Sequence, residues 1–270
     1  MKPVLCIPSY SRPDGTAIER CKDLPLRKFL FIRKEQRKLY RKWAGHYTII
    51  EQTDGTDIGL VRRNIINYCN ENNHRWAFML DDDVSKVEQL GYNPEKGRWD
   101  SQRILDGSKE PPRVETEALR YWFHLAKEWD LSLSSPAYRT NIGGKGPTVH
   151  INRHPCIQCV LVKVPDFAAV GNYRSIHETG NEDYYIQYRL MDAGCLTGTI
   201  NILEYDCPAV GNCPDGTEDS MRDKYLRYIQ AFQRNVCDDP QKMTTKITKT
   251  GFPSLQFVWK HWNGFQVDLT

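Results

Sequence analysis

Short apolar runs alternate with amphipathic segments through the first 84 residues of the chain. Four runs predict strands, at 4–7, 29–32, 47–50 and 76–80, and the last is continuously apolar, as buried parallel strands are. The segments between them predict helices, a basic one over 34–43 and one over 59–70 whose apolar residues recur at helical spacing. This alternation favours an α/β fold with parallel strands, in which ligands bind beyond the carboxyl ends of the strands.

The same patterning continues to the C-terminal region without a linker, repeat or low-complexity segment. Helices are predicted over 115–129, 182–193 and 219–236, and strands over 131–134, 157–164 and 200–205. Residues 85–114 are polar and turn-rich and predict an irregular insertion. We therefore expect one domain over 1–270, with one half at 1–84 and a second half, including the C-terminal helix and tail, at 115–270.

Composition excludes several classes of protein. Of the 270 residues 40% are hydrophobic and 26% charged, which excludes a disordered chain, and no apolar run approaches the ~18 residues of a membrane span. The first residues lack the apolar stretch of a secretory signal, so we expect a cytoplasmic protein (in host cytoplasm if viral) without a membrane partner. The nine cysteines are expected to be free thiols, and the net charge of +3 permits an acidic partner without requiring one.

Three consecutive aspartates, Asp81, Asp82 and Asp83, directly follow the apolar run at 76–80. Adjacent carboxylates repel one another and lose solvation on burial, so a strand end that carries three of them predicts a neutralising cation. Their oxygens suit Mg²⁺ or Mn²⁺ held together with substrate phosphates. Side-chain alternation places Asp81 and Asp83 on one face, with Asp83 at the metal and Asp81 at the substrate's sugar. The plainer alternative is a solvated turn or a helix cap.

A second acidic pair, Glu182 and Asp183, opens the helix predicted over 182–193. Carboxylates at a helix N-terminus are favoured by the helix dipole and by capping, which is the structural explanation. The functional alternative is a general base that takes a proton from an acceptor hydroxyl. We expect Asp183 in that role, with Glu182 as the second choice.

These motifs occur in an order that resembles the GT-A class of nucleotide-sugar glycosyltransferases, with its DxD motif and later acidic motif. The resemblance is carried by I-P-S-Y-S-R-P at 7–13, L-V-R-R-N at 60–64, D-D-D-V at 81–84 and E-D at 182–183, and it covers 1–84 and 150–205. Within that class, the start and the F-V-W-K-H-W segment at 257–262 are similar to the TET-associated glycosyltransferases of phages, relatives of base J glucosyltransferase. Sugar transfer onto 5-hydroxymethylpyrimidines in DNA is ascribed to that group.

The resemblance implies a GT-A-like, Rossmann-related mixed sheet flanked by helices, a donor-binding half at 1–84 and an acceptor-side half at 115–270. It implies a UDP-sugar donor bound by Pro8, Ser9, Tyr10, Arg12, Arg62, Arg63, Asn64, Asp81 and Asp82, with Mn²⁺ or Mg²⁺ bound by Asp83, Asp81 and His261. A histidine between two tryptophans is otherwise explained by packing. Residues 85–114 are longer than the matching region of many members, which is a departure from the pattern.

Double-stranded DNA carrying 5-hydroxymethylcytosine or 5-hydroxymethyluracil is the acceptor that the resemblance implies. The basic residues over 20–42 are the best candidate for phosphate contacts, above all Arg33, Lys34, Arg37, Lys38 and Arg41. An ordinary solvated helix face explains the same residues. Tyr138, Arg139, His150, Arg153 and His154 lie where contacts to the acceptor would fall.

Three other functions are compatible with the same residues. A GT-A enzyme that acts on a glycan, lipid or protein needs the same donor site and no basic groove. A nuclease-like metal protein would use the two acidic motifs without a sugar donor. A binding module without catalysis would not depend on Asp83.

Overall fold

The computed structural model describes residues 2–53, 57–101, 116–138, 147–207, 218–247 and 253–269. Its strands are β1 Val4–Pro8, β2 Arg27–Arg33, β3 Thr48–Gln52, β4 Trp76–Leu80, β5 Lys86–Asn93, β6 Arg98–Ser101, β7 Leu133–Tyr138, β8 Thr148–Ile151, β9 Cys159–Lys163, β10 Thr197–Asp206, β11 Met243–Ile247, β12 Pro253–Phe257 and β13 Phe265–Asp268. Its helices are α1 Thr16–Cys21, α2 Ile58–Glu71, α3 Thr116–Glu128, α4 Val164–Val170, α5 Ile176–Thr179, α6 Glu182–Asp192 and α7 Glu218–Asn235.

One mixed sheet joins the two predicted halves of the chain. Its described strands run in the order β13-β8-β10-β7-β9-β4-β1-β2-β3, with β5 on β10 and β6 on β5. The first four strands are parallel, and β4 pairs antiparallel with β9 of the second half. The predicted α/β mixed sheet flanked by helices is therefore confirmed. The strands β11 and β12 form a separate hairpin.

Both faces of the sheet are covered, so its strands are apolar on both sides. Along β1, Leu5 and Ile7 belong to one buried cluster, which also contains residues of α1 and α3. Val4 and Cys6 belong to the other cluster, on the face covered by α2, α4, α6 and α7. Among the described helices, none combines the length and the apolar character that a bilayer crossing requires.

Two predicted segments differ from the structure. Residues 86–101 of the expected irregular insertion form β5 and β6, because β5 pairs with β10 and extends the sheet. The basic segment 34–43 is not an α-helix. It contains two 3₁₀ turns, Lys34–Gln36 and Arg41–Trp43, which are closed by i→i+3 bonds from the Arg37 N–H to the Lys34 carbonyl and from the Ala44 N–H to the Arg41 carbonyl.

Candidate functional site

A cavity of about 280 Å³ opens at the carboxyl ends of the four parallel strands. This is the edge at which α/β sheets bind ligands. Seven residues that the sequence assigned to donor and metal binding line it, namely Pro8, Ser9, Tyr10, Arg12, Asp81, Asp82 and Asp83. We call it the strand-end cavity.

Six further residues line the strand-end cavity without having been expected there as donor ligands. They are Phe31, Ile32, Arg33, Gln52, Ile58 and Val61. They come from the ends of β2 and β3 and from the first turn of α2. Strand ends that share one edge carry no common motif, so only the sheet order could have revealed them.

Asp82 fixes the loop that follows β1. Its carboxylate is buried, accepts a hydrogen bond from Ser9 Oγ at 2.7 Å and forms an ion pair with Arg12 Nη2 at 2.9 Å. Burial raises the pKa of Asp82 to about 6, although the Ser9 hydrogen bond and the Arg12 charge oppose that rise. Its carbonyl approaches the position that a Cβ would take at Gly15 to 2.7 Å, so the loop passes too close for a side chain there. Asp82 therefore holds the loop after β1 in the position in which that loop lines the cavity.

Asp83 offers an oxygen that no described protein group binds. Its Oδ2 lies 3.4 Å from Arg12 Nη1, while its Oδ1 is buried and has no hydrogen-bond partner. Burial and the neighbouring Asp81 charge raise the pKa of Asp83. Asp81 and Asp82 are paired with the guanidinium groups of Arg62 and Arg12. The Asp83 oxygen is a hard donor of the kind that Mg²⁺ or Mn²⁺ prefers. These donor atoms are therefore of the kind that a divalent cation takes.

His261 does not complete a set of metal ligands in the described residues. Over those residues, no three His, Cys, Asp or Glu side chains are grouped so that they could hold a metal ion. His261 is exposed in the 3₁₀ turn Trp259–His261. Its assignment to the metal stays a prediction, as do those of Asp81 and Asp83, which line the cavity together with Asp82.

Behind the cavity wall, one buried guanidinium holds three carboxylates. Arg62 Nη2 donates to Asp81 at 3.0 and 3.2 Å, and its Nη1 donates to Glu182 at 2.7 Å and to Asp183. Arg62 is only 3% exposed. We call this group the arginine cluster. It brings together the two acidic motifs, which are about a hundred residues apart in the sequence.

In the arginine cluster, three carboxylates share one buried positive charge. Burial, reinforced by the adjacent Asp183 charge and opposed by Arg62, raises the pKa of Glu182 to about 7. Burial also raises the pKa of Asp183, against the lowering effect of Arg62 and of the Gln158 backbone N–H. A carboxylate that titrates near neutral pH can both take up and release a proton there.

Local backbone geometry places the two acids. Gly180, in the left-handed region at φ +72°, ends α5 and turns the chain into α6. Asn181 caps α6, because its side-chain oxygen accepts the Tyr184 N–H at 3.0 Å. Glu182 and Asp183 therefore occupy the first turn of α6, where the helix dipole favours negative charge.

Three residues of the L-V-R-R-N motif have different surroundings from those that the resemblance implies. The lining of the strand-end cavity includes neither Arg62 nor its neighbours Arg63 and Asn64, which are half-buried on α2. Arg62 instead contacts the three carboxylates of the arginine cluster. A direct donor contact by these three residues stays a prediction.

The predicted nucleic-acid residues begin at the cavity and continue onto the surface. Arg33 lines the cavity and its guanidinium lies 3.9 Å over the ring of Tyr10. The four others, Lys34, Arg37, Lys38 and Arg41, are exposed. The segment is anchored to the loop after β1, since Tyr40 Oη accepts the Arg12 N–H at 3.1 Å.

A second cavity, of about 80 Å³, is lined by residues of the C-terminal half of the chain. Tyr138 and His154 line it together with Asn201 and Tyr205. The Tyr205 hydroxyl lies 3.3 Å from Oε1 of Gln158, whose backbone carbonyl accepts the Asp81 N–H. This cavity therefore adjoins the arginine cluster.

The remaining residues expected near the acceptor are only partly placed. His150 is buried, with its Nδ1 3.0 Å from Nε2 of His154. Arg153 is exposed. Arg139 lies outside the described residues.

Comparison with known proteins gives structural neighbours only. No protein-family model and no curated protein matches the chain. TarS of S. aureus, residues 1–349, shares 7% identity with a TM-score of 0.49, over 90% of this chain and 74% of that one. CMP:2-keto-3-deoxy-manno-octonic acid synthetase complexed with CTP shares 11% identity with a TM-score of 0.44, over 86% of this chain and 99% of that one. GalNAc-T7 with UDP, GalNAc and Mn²⁺ shares 10% identity with a TM-score of 0.42, over 85% of this chain and 48% of that one. Similarities of this size say nothing about activity.

Proposed function

We propose that the protein is a metal-dependent glycosyltransferase that moves a sugar from a UDP-sugar to the hydroxyl of 5-hydroxymethylcytosine or 5-hydroxymethyluracil in DNA. The observation that carries the proposal is the strand-end cavity, where Asp83 presents a carboxylate oxygen without a hydrogen-bond partner among the described residues. The relation to the phage TET-associated enzymes is part of the proposal.

The donor half of the proposal assigns roles to the cavity residues. Asp81 and Asp83 would hold Mn²⁺ or Mg²⁺ together with the donor's diphosphate oxygens. That cation would supply electrostatic stabilisation of the charge that develops on the leaving UDP. Arg12, whose guanidinium lies between Asp82 and Asp83, would add a second positive charge at the same place.

The acceptor half rests on the arginine cluster. Asp183, or Glu182 as the second choice, would accept the proton of the acceptor hydroxymethyl group as its oxygen attacks C1 of the sugar. The pKa of Glu182, raised to about 7, suits proton acceptance near neutral pH. Because Arg62 bonds both acids, it would orient them and stabilise their charged forms.

Transfer of label tests the proposal. The protein is incubated with radiolabelled UDP-sugar, Mn²⁺ and duplex DNA with or without 5-hydroxymethylpyrimidines. We expect label only in hydroxymethylated DNA, and a loss of at least about 10²-fold in Asp83→Asn and in one of Asp183→Asn and Glu182→Gln. Asp268→Asn, a surface aspartate of β13, serves as the matched control.

Each other outcome removes a defined part of the proposal. Label that enters a glycan, lipid or protein instead of DNA overturns the DNA acceptor and retains the donor. Cleavage of DNA with Mg²⁺ and no sugar requirement indicates a nuclease. Full transfer by Asp83→Asn contradicts the role of the aspartates.

A further inference from the structure

Gln52 carries a buried side-chain amide that no described residue hydrogen-bonds. It is the last residue of β3, is 7% exposed and lines the strand-end cavity. Both its Nε2 and its Oε1 are buried and have no hydrogen-bond partner within the part of the chain that the structure describes. Leaving a buried donor or acceptor unsatisfied costs ~1–3 kcal/mol, so such groups require an explanation. A ligand in the cavity that presents one donor and one acceptor side by side would satisfy both atoms.

The sheet places this amide far from the aspartates. Residue 52 ends β3, and β2 and β1 lie between β3 and β4, which ends at the aspartates. With neighbouring strands ~4.8 Å apart, three strand spacings put Gln52 about 14 Å from the aspartates across the sheet edge. The cavity thus has an anionic end and a neutral, amide-bearing end.

The walls between the two ends suit a flat ring. The Arg33 guanidinium is stacked 3.9 Å over the Tyr10 ring, which makes a planar surface. Ile58 and Val61 of α2 add apolar lining. Aromatic rings gain from burial against such flat and apolar surfaces.

We propose that Gln52 recognises the nucleobase of the donor nucleotide through the base's imide edge. In uracil, N3–H would donate to Gln52 Oε1 and a ring carbonyl would accept from its Nε2. The base would lie at the amide end and the diphosphate at the aspartate end. This assignment rests on the proposed use of a nucleoside-diphosphate sugar and identifies the residue that selects its base.

A cycle of two ligands and two proteins tests the contact. Binding of UDP and of N3-methyl-UDP is measured by calorimetry for the wild type and for Gln52→Met, which keeps the side-chain shape and removes both polar atoms. We expect the wild type to bind N3-methyl-UDP about tenfold or more weakly than UDP. Gln52→Met should bind the two nucleotides alike, and UDP about tenfold or more weakly than the wild type does.

Controls separate this contact from changes in folding. Gln233→Met, in α7, should retain the wild-type preference for UDP. Gln52→Met replaces an amide that has no partner among the described residues by an apolar group. The urea concentration at its unfolding midpoint should therefore equal or exceed that of the wild type. Marked destabilisation would contradict the unpartnered state of the amide.

The results distinguish failure of this assignment from failure of the proposed function. If the wild type binds UDP and Gln52→Met retains the preference over N3-methyl-UDP, the role of Gln52 is overturned while the donor class stands. If the wild type binds no UDP, the donor class falls and the assignment falls with it. Competition between UDP and a hydroxymethylated oligonucleotide that is lost in Gln52→Met would place an acceptor base at Gln52, and would overturn the assignment to the donor.

Discussion

Arg62 carries one positive charge among three carboxylates, deep in the protein. Removing one partner of a buried ion pair leaves uncompensated charge and costs ~3–5 kcal/mol. We expect Arg62→Met to lower the free energy of unfolding by about that amount in urea titrations at pH 8.

Arg120→Met is the matched control for this prediction. Arg120 pairs with Glu117 on the exposed side of α3, where such pairs contribute ~0–1 kcal/mol. Equal losses in the two variants would show that the arginine cluster contributes no more than a surface pair.

The raised pKa of Glu182 predicts how the stability of the fold changes with pH, including the sign of the change. Its pKa is raised in the folded protein, so between its unfolded pKa and about 7 the folded state binds the extra proton. The ionised, buried Glu182 therefore makes its whole unfavourable contribution to the free energy of folding above about pH 7. This contribution disappears as the pH falls toward the pKa of the unfolded state. Glu182→Gln removes the titration and retains an oxygen for Arg62.

The measurement is the difference in unfolding free energy between Glu182→Gln and the wild type at pH 5 and pH 8. This difference should increase in favour of the variant as the pH rises from 5 to about 7, and it should stay level above that pH. A difference that is constant, or that moves the other way, would show that Glu182 is ionised throughout this range in the folded protein.

The sequence identified residues of the site without giving their contacts. The aspartates stood out because three charges follow an apolar run, and Glu182 and Asp183 because they open a helix. Gln52 gave no signal, since a single glutamine at the end of a strand is common. Nothing in R-R-N at 62–64 shows which side chain is buried, because that depends on how α2 lies against the sheet.

At the scale of elements, the α5–α6 junction depends on Gly180. Its φ is +72°, and a Cβ there would lie 1.7 Å from the Tyr228 carbonyl oxygen of α7. Gly194, which follows α6, has φ +80° with no atom within 4 Å of a Cβ. The two positions share the backbone conformation and differ in the space around them.

Gly180→Ala should therefore lose much more stability than Gly194→Ala. The left-handed conformation alone costs a non-glycine residue ~1–3 kcal/mol, and the clash at position 180 adds to it. Urea unfolding of both variants gives the comparison. Similar losses would show that α7 moves away from Gly180 at little cost.

The basic segment shows why element types could be predicted only in part. Its buried residues Gln36, Tyr40 and Trp43 lie at helical spacing, which explains why the sequence predicts a helix there. Its backbone bonds are i→i+3, because the side chains of Gln36 and Tyr40 are tied to the loop after β1. Tertiary contacts of this kind override local propensity, and they are invisible in the sequence.

For the whole molecule, apolar runs and helical spacing were sufficient to predict the sheet class. The four N-terminal strands and the longer covering helices α2, α3, α6 and α7 follow directly from them, whereas the short helices α1 and α4 do not. The pairing of β4 with β9, which joins the two halves, and of β5 with β10 is set by contacts distant in sequence. Strand order, and with it the neighbours of Gln52 at the cavity, therefore had to come from the structure.

The basic residues on the surface predict how binding to duplex DNA depends on salt. Lys34, Lys38 and Arg41 are exposed in the segment that continues from the strand-end cavity. Each phosphate contact releases counterions and contributes ~0.9 to the slope of log K against log salt concentration. Replacing all three by serine should make that slope shallower by about 2.7, with a uniform loss across DNA sequences.

A matched triple replacement of Arg120, Lys127 and Arg234 by serine tests whether position matters. Both triples change the net charge from +3 to zero, because each removes three of the 37 basic residues against 34 acidic ones. If DNA lies along the basic segment, only the first triple changes the slope. Equal changes would mean that DNA responds to overall charge. The basic segment would then be an ordinary solvated surface, and the acceptor would have to approach from the side of the smaller cavity.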